Sequence, residues 1–280
     1  MMLEQNAIDR IIRLALEEDL GSGDLTTNSI INSKSKGRAV LIAKQDLVLA
    51  GLPVFKRTFE ILNSEIRFES FFEDGQNVAE NERVCEILTS VQAILKAERT
   101  ALNLLQRMSG IATLTQKYAE QVSGFKAKVL DTRKTNPGLR ILDKYSVRMG
   151  GGYNHRFGLY DGIIIKDNHI QAAGSITKAL SLCKKSVPHT IKIEIEVEDL
   201  NGVTEALQAG ADIIMLDNMS LDEIKKAVEL VNGQSVLEVS GNVGLENIKS
   251  IAATGVDLIS VGALTHSAPA ADLSLELVAP

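Results

Sequence analysis

The order of hydrophobic and polar positions changes near residue 126, and this change divides the chain into two parts. Beyond that point a short apolar run, a polar loop and an amphipathic helical pattern recur several times. The apolar runs predict strands at 127–131, 162–167, 191–197, 211–217, 235–240 and 256–262. Strands that alternate with helices in this way indicate a parallel sheet covered by helices.

This alternation fits either a (β/α) barrel or an open, doubly wound sheet. In the dinucleotide-binding form of the doubly wound fold, a glycine-rich fingerprint follows the first strand, and none follows it here. We therefore favour a barrel. A seventh strand would fall near 150–156, and a complete set of eight is not evident, so this is not expected to be a complete eight-stranded barrel.

The first 110 residues have a mixed pattern. A helix is predicted near 6–19, followed by the loop GSGDLTT. Strands are predicted at 37–44, 46–51, 66–72 and 83–90, with a helix at 53–62 among them. From residue 92 a long helical pattern links the two parts of the chain.

Composition excludes several classes of protein. No apolar run approaches the roughly 18 residues of a membrane span, and the N-terminal segment lacks the pattern of a signal peptide. Cys85 and Cys183 lie far apart and form no CxxC motif, so we expect no disulfide or zinc site and a cytoplasmic protein. The net charge of −6 and the absence of Trp argue against nucleic-acid binding.

Positive charge is concentrated in one window of this acidic chain. Residues 131–170 contain seven Lys or Arg and four Asp or Glu, a balance of +3. The carboxyl ends of barrel strands carry the chemistry of such proteins. The cations at predicted strand ends or in a glycine-rich loop therefore predict an anion site, and they are Arg133, Lys134, Arg156 and Lys166.

Other polar residues of this region allow two interpretations. Arg140, Lys144 and Arg148 lie at i, i+4 and i+8, which favours a solvated stripe on one helix face. His155, beside Arg156, is interpreted as a donor to the anion. His169 is expected instead to cap the next helix or to bond backbone.

The later strand ends predict further parts of a site. VSGNVG and VGAL place glycines after the last two strands, where barrels often bind phosphate. Glu196 and Asp217 end earlier strands. Their carboxylates would hold magnesium or ribose hydroxyls, or else would orient the lysines and arginines.

Longer motifs, in order along nearly the whole chain, resemble the quinolinate phosphoribosyltransferase family. They are EEDLGSGDLTT, AERTALNLLQRMSGIAT, DTRKTNPGLR, GGGYNHRFGLYDGIIIKDNHI, EIEVE, IMLDNM, EVSGNV and VGALTHSAPAADLSL. The resemblance implies a small N-terminal α/β sandwich domain over 1–110 and an incomplete (β/α) barrel domain over 111–280. A C-terminal helix from 268–280 is expected to return to the first domain.

The resemblance also implies roles for individual residues. It implies a homodimer with interfacial active sites, in which Arg99 reaches the partner's site. The carboxylates of quinolinate would be held by Arg99, Arg133, His155, Arg156 and Lys166, and Thr132 would also bind substrate. Lys134 would lie near the phosphoribosyl group, and Glu196 and Asp217 would bind ribose hydroxyls or Mg²⁺. The 5-phosphate site would be lined by Ser240, Gly241, Asn242, Val261, Gly262 and Ala263.

The implied reaction is decarboxylating phosphoribosyl transfer from phosphoribosyl pyrophosphate to quinolinate, in NAD biosynthesis. Its expected catalytic residues are Lys134, Lys166, Glu196 and Asp217. In this chain Asn242 replaces the second glycine that many members carry in the motif SGG. Three alternatives stay open: a phosphoribosyltransferase acting on nicotinate or another ring, a barrel aldolase or isomerase with Lys166 as a Schiff-base lysine, and a non-catalytic sensor of nucleotides or metabolites.

Overall fold

The computed structural model describes residues 3–278. Its strands are β1 (Lys36–Ala43), β2 (Leu47–Val48), β3 (Arg67–Ser70), β4 (Asn77–Val78), β5 (Arg83–Ser90), β6 (Lys128–Leu130), β7 (Ile163–Ile165), β8 (Ile193–Val197), β9 (Ile213–Asp217), β10 (Val236–Ser240), β11 (Leu258–Ser260) and β12 (Leu273–Val278). Its helices are α1 (Gln5–Leu20), α2 (Leu25–Ile30), α3 (Leu52–Leu62), α4 (Val91–Gln121), α5 (Arg140–Met149), α6 (Asp167–Ala173), α7 (Ile176–Ser186), α8 (Leu200–Gln208), α9 (Leu221–Val231), α10 (Ile248–Ala252) and α11 (Ala263–His266). No helix among these residues is long and apolar enough to cross a membrane.

The chain forms two compact units, and neither is continuous in sequence. The first takes in the chain up to Gln116, then Thr135–Gly151, then the segment from Leu264. The second takes in Lys117–Lys134 and Gly152–Ala263. The division at 1–110 and 111–280 is a division of the sequence, and it stays a prediction.

The first unit contains an antiparallel sheet in the order β12-β1-β5-β3 and a small β2-β4 pair. Its core includes Phe55 and Phe59 of α3, whose rings meet edge to face with centroids 5.1 Å apart. Helix α3 begins after Gly51, and the half-buried carboxylate of Asp74 accepts the backbone N–H groups of Gly51 and Leu52 at 2.8 and 2.9 Å. This carboxylate satisfies donors that a helix start otherwise leaves free.

The expectation of a C-terminal helix is wrong, because the segment forms strand β12. It pairs antiparallel with β1, from Leu273 opposite Ala43 to Val278 opposite Arg38. The sequence LSLELV begins with the alternation of a strand, and Leu273 and Leu275 are buried on one face. The last residues, 279–280, lie outside the described residues.

The second unit is a parallel sheet in the order β6-β11-β10-β9-β8-β7. Successive strands are neighbours and the first strand pairs with the last, which is the order of a barrel and not of a doubly wound sheet. The sheet ends at β6 and β7. At the expected seventh strand, Tyr153 forms a single parallel bridge to Leu130. The predicted architecture and the six predicted strands are confirmed.

Helix α5 is more buried than its charges predicted. Lys144 is 0% exposed, and Arg140 and Arg148 are only partly exposed. The prediction of a solvated stripe is therefore wrong. The reason is that α5 packs into the first unit's core through Leu142, and its polar residues find partners there, as when Arg140 Nε donates to Thr135 Oγ1 at 3.0 Å.

A buried ion pair joins three segments of the first unit. Arg107 on α4 donates from Nε and Nη2 to the two carboxylate oxygens of Asp143 on α5, at 2.9 and 2.8 Å. Its Nη2 also donates to the carbonyl of Thr265 at 3.1 Å. Asp143 is 0% exposed, and burial raises the pKa of its carboxyl while Arg107 opposes that rise. Removing Arg107 would leave this buried carboxylate without its cation.

Arg107→Met is expected to destabilise the protein by about 3–5 kcal/mol, the usual cost of leaving one member of a buried ion pair alone. Urea unfolding measures this as a lower midpoint. Lys36→Met is the matched control, because the Lys36–Glu65 pair is 74% and 80% exposed and its loss should change stability by less than about 0.5 kcal/mol. An equal effect of the two substitutions would contradict the structural role assigned to Arg107.

Candidate active site

Strand register places acidic and hydroxyl side chains on one face of the parallel sheet. Glu194 and Glu196 lie two residues apart on β8 and project from the same face. Glu196 and Glu238 both oppose Met215 on β9, and Ser240 opposes Asp217. These polar residues therefore share a face toward the carboxyl end of the sheet. The alternate positions on the other face are buried and apolar, and they include Ile195, Leu216 and Val239.

His155 is held by two buried carboxylates. Its Nε2 lies 3.2 Å from Glu194 Oε2 and 3.5 Å from Glu238 Oε1. Ser260 Oγ also donates to Glu238 Oε1. The segment that carries the ring is fixed by buried Asp131, which accepts the backbone N–H of His155 at 2.9 Å and Nδ2 of Asn154 at 2.6 Å.

The charge of His155 results from opposing effects. Burial lowers the pKa of the imidazole. The hydrogen bonds and charges of Glu194 and Glu238 together raise it by more than burial lowers it, to about 10. The backbone N–H of Arg156 lies 2.7 Å from Nδ1, a contact that needs a neutral ring. Two carboxylates face the ring and attract its positive charge, so the protonated ring is favoured and the Nδ1 contact competes with it.

The predicted cations lie on the same unit as this cluster. Lys166 Nζ donates to Glu196 Oε2 at 2.6 Å. Arg156 Nη1 donates to the carbonyl of Gly162 at 2.8 Å, whereas its buried Nε meets no acceptor among the described residues. Burial and the nearby charge of Arg133 lower the pKa of Arg156. Two guanidinium groups near each other, one with an unsatisfied buried donor, are the arrangement an anion would complete.

The loop after β10 is organised for close backbone approach. Gly241 has φ +88° and Asn242 φ +49°, both in the left-handed region. A Cβ on Gly241 would lie 2.2 Å from Oδ1 of Asn218, so only glycine fits there. Val261, Gly262 and Ala263 follow β11, and the backbone N–H of Val261 donates to the carbonyl of Leu130 at 2.9 Å. Both loops therefore leave the carboxyl end of the sheet, as predicted.

Two sets of residues were compared with the needs of a metal ion. His155, Glu194 and Glu238 place ligand atoms within 4.8 Å of one another, but the protonated ring already occupies the two carboxylates, so this set does not fit a metal ion. Asp217 and Glu196 are the predicted magnesium ligands. Asp217 fits a hard cation such as Mg²⁺, because no described residue donates to its Oδ1 and this oxygen is open to a ligand. Glu196 fits it less well, because the ammonium of Lys166 already occupies one of its oxygens.

Most of the predicted site residues lie in the second unit. Those in the second unit are Thr132, Arg133, Lys134, His155, Arg156, Lys166, Glu196, Asp217, Ser240, Gly241, Asn242, Val261, Gly262 and Ala263. Arg99 is exposed on α4 in the first unit. His169 caps α6, as expected, by accepting the backbone N–H of Lys166 at Nδ1 over 3.0 Å.

Sequence reasoning missed the residues behind the cations. Glu194, Glu238 and Ser260 bind or support His155, and Asp131 supports it from the other side. A signal was present, because an acid in the middle of an apolar strand is costly unless it has a partner. Both EIEV and VLEV carry such an acid.

The chain is similar to known proteins over nearly its whole length. The chain matches the family models of the N-terminal domain of quinolinate phosphoribosyl transferase over residues 24–109 and of its C-terminal domain over 111–276. A probable nicotinate-nucleotide pyrophosphorylase (carboxylating) of Synechocystis sp. is 42% identical over 97% of this chain and 92% of that protein. A Bacillus subtilis protein of the same name is 43% identical over 93% of this chain and 90% of its own length.

A solved structure gives the same result. The crystal structure of NadC from Streptococcus pyogenes is similar to this chain with a TM-score of 0.96 and 44% sequence identity, over 99% of each chain. The fold and the site are those of a two-domain α/β protein with its polar residues at the strand ends of a parallel sheet. The chain belongs to the quinolinate phosphoribosyltransferase family.

His155→Gln is expected to lower stability at pH 7 by on the order of 1–3 kcal/mol, because two buried carboxylates lose their cation. The folded pKa of about 10 lies above the ordinary value of 6.5. The stabilisation from His155 is therefore complete below about pH 6.5 and is lost as pH rises through about 10. The difference between wild type and variant should shrink over that window, as measured by urea unfolding.

Exposed His189 provides the control, since His189→Gln should leave stability unchanged at each pH. A constant difference between wild type and His155→Gln from pH 7 to pH 10 would show that the ring is not charged in the folded protein.

Proposed function

We propose that the protein catalyses decarboxylating phosphoribosyl transfer from phosphoribosyl pyrophosphate to quinolinate. The products are nicotinate mononucleotide, carbon dioxide and pyrophosphate, in the biosynthesis of NAD. Family membership supports this assignment, as do the names of the relatives above. The particular observation that carries it is the buried, unsatisfied Nε of Arg156 beside Arg133.

This observation favours a substrate with more than one carboxylate. A buried guanidinium donor without an acceptor is costly, and a substrate carboxylate would supply the acceptor. Arg133, Arg156 and Lys166 offer more positive charge than a single carboxylate needs. In this proposal they hold the carboxylates of quinolinate, together with Thr132 and His155.

The chemistry then depends on position and charge. The pyridine nitrogen forms a bond to C1 of the ribose as the bond from C1 to pyrophosphate breaks. The bond from the ring to its 2-carboxylate then breaks, carbon dioxide leaves, and a proton replaces it at that carbon. Cations hold the anionic groups in line, and the positive ring nitrogen offsets the charge left by decarboxylation. No activated nucleophile is required.

The remaining residues bind the phosphoribosyl part. Ser240, Gly241 and Asn242 of one loop, with Val261, Gly262 and Ala263 of the next, would bind the 5-phosphate through backbone N–H groups. Lys134 would lie near the phosphoribosyl group. Asp217 and Glu196 would bind ribose hydroxyls or Mg²⁺, which would neutralise the charge of the pyrophosphate.

The contact of Lys166 argues against the aldolase alternative. Its Nζ donates to Glu196 at 2.6 Å, as expected of an ammonium that binds anions rather than of a free amine nucleophile. We also propose a cytoplasmic location, supported by the unpaired cysteines Cys85 and Cys183, and domain limits of 1–110 and 111–280.

The test of the function is release of carbon dioxide and pyrophosphate from quinolinate, phosphoribosyl pyrophosphate and Mg²⁺, with nicotinate as a parallel substrate. We expect stoichiometric release of both products from quinolinate and little pyrophosphate from nicotinate. Turnover of nicotinate but not of quinolinate would show that quinolinate is not the substrate. No turnover of either, in folded protein, would favour the sensor alternative.

A homodimer with shared sites is the second part of the proposal. It is supported by the exposure of Arg99 on the first unit, away from any partner carboxylate among the described residues, and by the family resemblance. In this arrangement Arg99 acts in the partner's active site. Each site then contains residues from both subunits.

Mixing Arg99→Ala with Lys166→Ala subunits tests this arrangement. Half of the randomly mixed dimers carry both variants, and each of those has one intact site, so about a quarter of wild-type activity should return. Mixing Arg133→Ala with Lys166→Ala is the control, because each of these two residues acts in the site of its own subunit. Since such dimers would have no intact site, no activity should return there. Absence of recovery in the first mixture, despite proven exchange, would place Arg99 in its own subunit's site or outside any site.

A further inference from the structure

Two asparagines at neighbouring strand ends adopt the left-handed conformation that few residues other than glycine adopt. Asn218, after β9, has φ +54°, and Asn242, after β10, has φ +49°. The backbone N–H of Asn218 donates to the carbonyl of Ser240 at 3.0 Å, which joins the two strand ends. The left-handed conformation directs both amide side chains into the space between these ends, where they meet.

The two amides form a chain of hydrogen bonds that ends on Asp217. Asn218 Nδ2 donates to Asp217 Oδ2 at 2.9 Å, and Asn242 Nδ2 donates to Asn218 Oδ1 at 3.0 Å. The carboxylate sets the direction of this chain, because it only accepts. Asn218 must turn its NH₂ group toward Asp217 and its oxygen toward Asn242, and Asn242 must then donate.

The surroundings restrict the middle amide. A Cβ on Gly241 would lie 2.2 Å from Oδ1 of Asn218, so the loop backbone packs directly on that amide. The loop is fixed separately, because Asn247 Nδ2 donates to the carbonyl of Asn242 at 2.9 Å and Asn247 Oδ1 accepts the N–H of Gly244 at 2.9 Å. The side chain of Asn242 is therefore not needed to shape the turn, and its contact with Asn218 is free for another role.

We infer that Asn218 and Asn242 are positioning residues that orient the Asp217 carboxylate. Asn218 engages Oδ2 of Asp217 and Asn242 holds Asn218 in place, which leaves Oδ1 for the ribose hydroxyl or magnesium ion of phosphoribosyl pyrophosphate. They also connect Asp217 to the loop proposed to bind the 5-phosphate, so that both ends of the phosphoribosyl group meet one hydrogen-bonded unit. The inference rests on the proposed function of the same site, and it assigns these two amides a role in that function.

The test is a double-mutant cycle of Asn242→Gly and Asp217→Ala. Glycine adopts the left-handed backbone without strain, so Asn242→Gly removes the amide and keeps the turn. We expect kcat/KM for phosphoribosyl pyrophosphate to fall about 3- to 10-fold, as for the loss of one hydrogen bond, with KM for quinolinate unchanged. In the Asp217→Ala background the same change should have an effect of less than about 2-fold, because the amide acts through that carboxylate.

Asn232→Gly is the matched control. Asn232 is also left-handed, with φ +43°, but it caps the C-terminus of α9, and its substitution should leave the kinetics unchanged. Equal losses for Asn242→Gly in both backgrounds, or a raised KM for quinolinate, would overturn the positioning role. So would wild-type kinetics in Asn242→Gly.

Calorimetric binding of phosphoribosyl pyrophosphate with Mg²⁺ separates this inference from the proposed function. If wild type binds but does not turn over, the proposed reaction is wrong. In that case the same cycle, measured as changes in Kd, still supports or overturns the positioning role of the two amides. If turnover is normal and the cycle is additive, the proposed reaction is supported and the positioning role is wrong. Failure of wild type to bind overturns both.

Discussion

The site depends on a balance between buried carboxylates and the cations beside them. Glu194 and Glu238 lie within the parallel sheet, where an isolated charge would be costly. They are tolerated because His155 lies between them, and the ring is in turn fixed by Asp131 through its own backbone. This arrangement holds the segment that begins with His155 and carries Arg156. Glu194 also acts on Arg156, whose pKa it raises against the lowering by burial and by Arg133.

Different strands of the parallel sheet carry different kinds of polar residue at their carboxyl ends. β7 and β8 present the Lys166–Glu196 pair, and the segment before β7 carries Arg156. β9 and β10 end in Asp217 and Ser240, which the amides of Asn218 and Asn242 connect. In the strand order, Arg133 and Lys134 follow β6 at one end and Lys166 follows β7 at the other, whereas Asp217 and Ser240 end strands in the middle. The parallel arrangement makes this possible, because all strand ends meet on one side.

The first unit is held together by contacts between distant parts of the chain. Its sheet is completed by β12, and its helix α5 brings Asp143 to Arg107. Both contacts tie distant parts of the chain to one core. Arg99 lies on the same long helix as Arg107, eight residues earlier, but it is exposed where Arg107 is paired. One helix therefore carries an arginine that stabilises the unit and another that is free to act outside it.

The sequence by itself determined the strand and helix order of the second unit and the cations and glycines at its strand ends. Those features follow from local periodicity and from residue type, which act over a few neighbours. The sequence motifs alone indicate the family. Only the tertiary structure decided that 268–280 contributes a strand, that Lys144 is buried, that Glu194 and Glu238 hold His155, and that Asn218 bonds to Asp217. These depend on which strands lie side by side and in what register, and no local pattern contains that information.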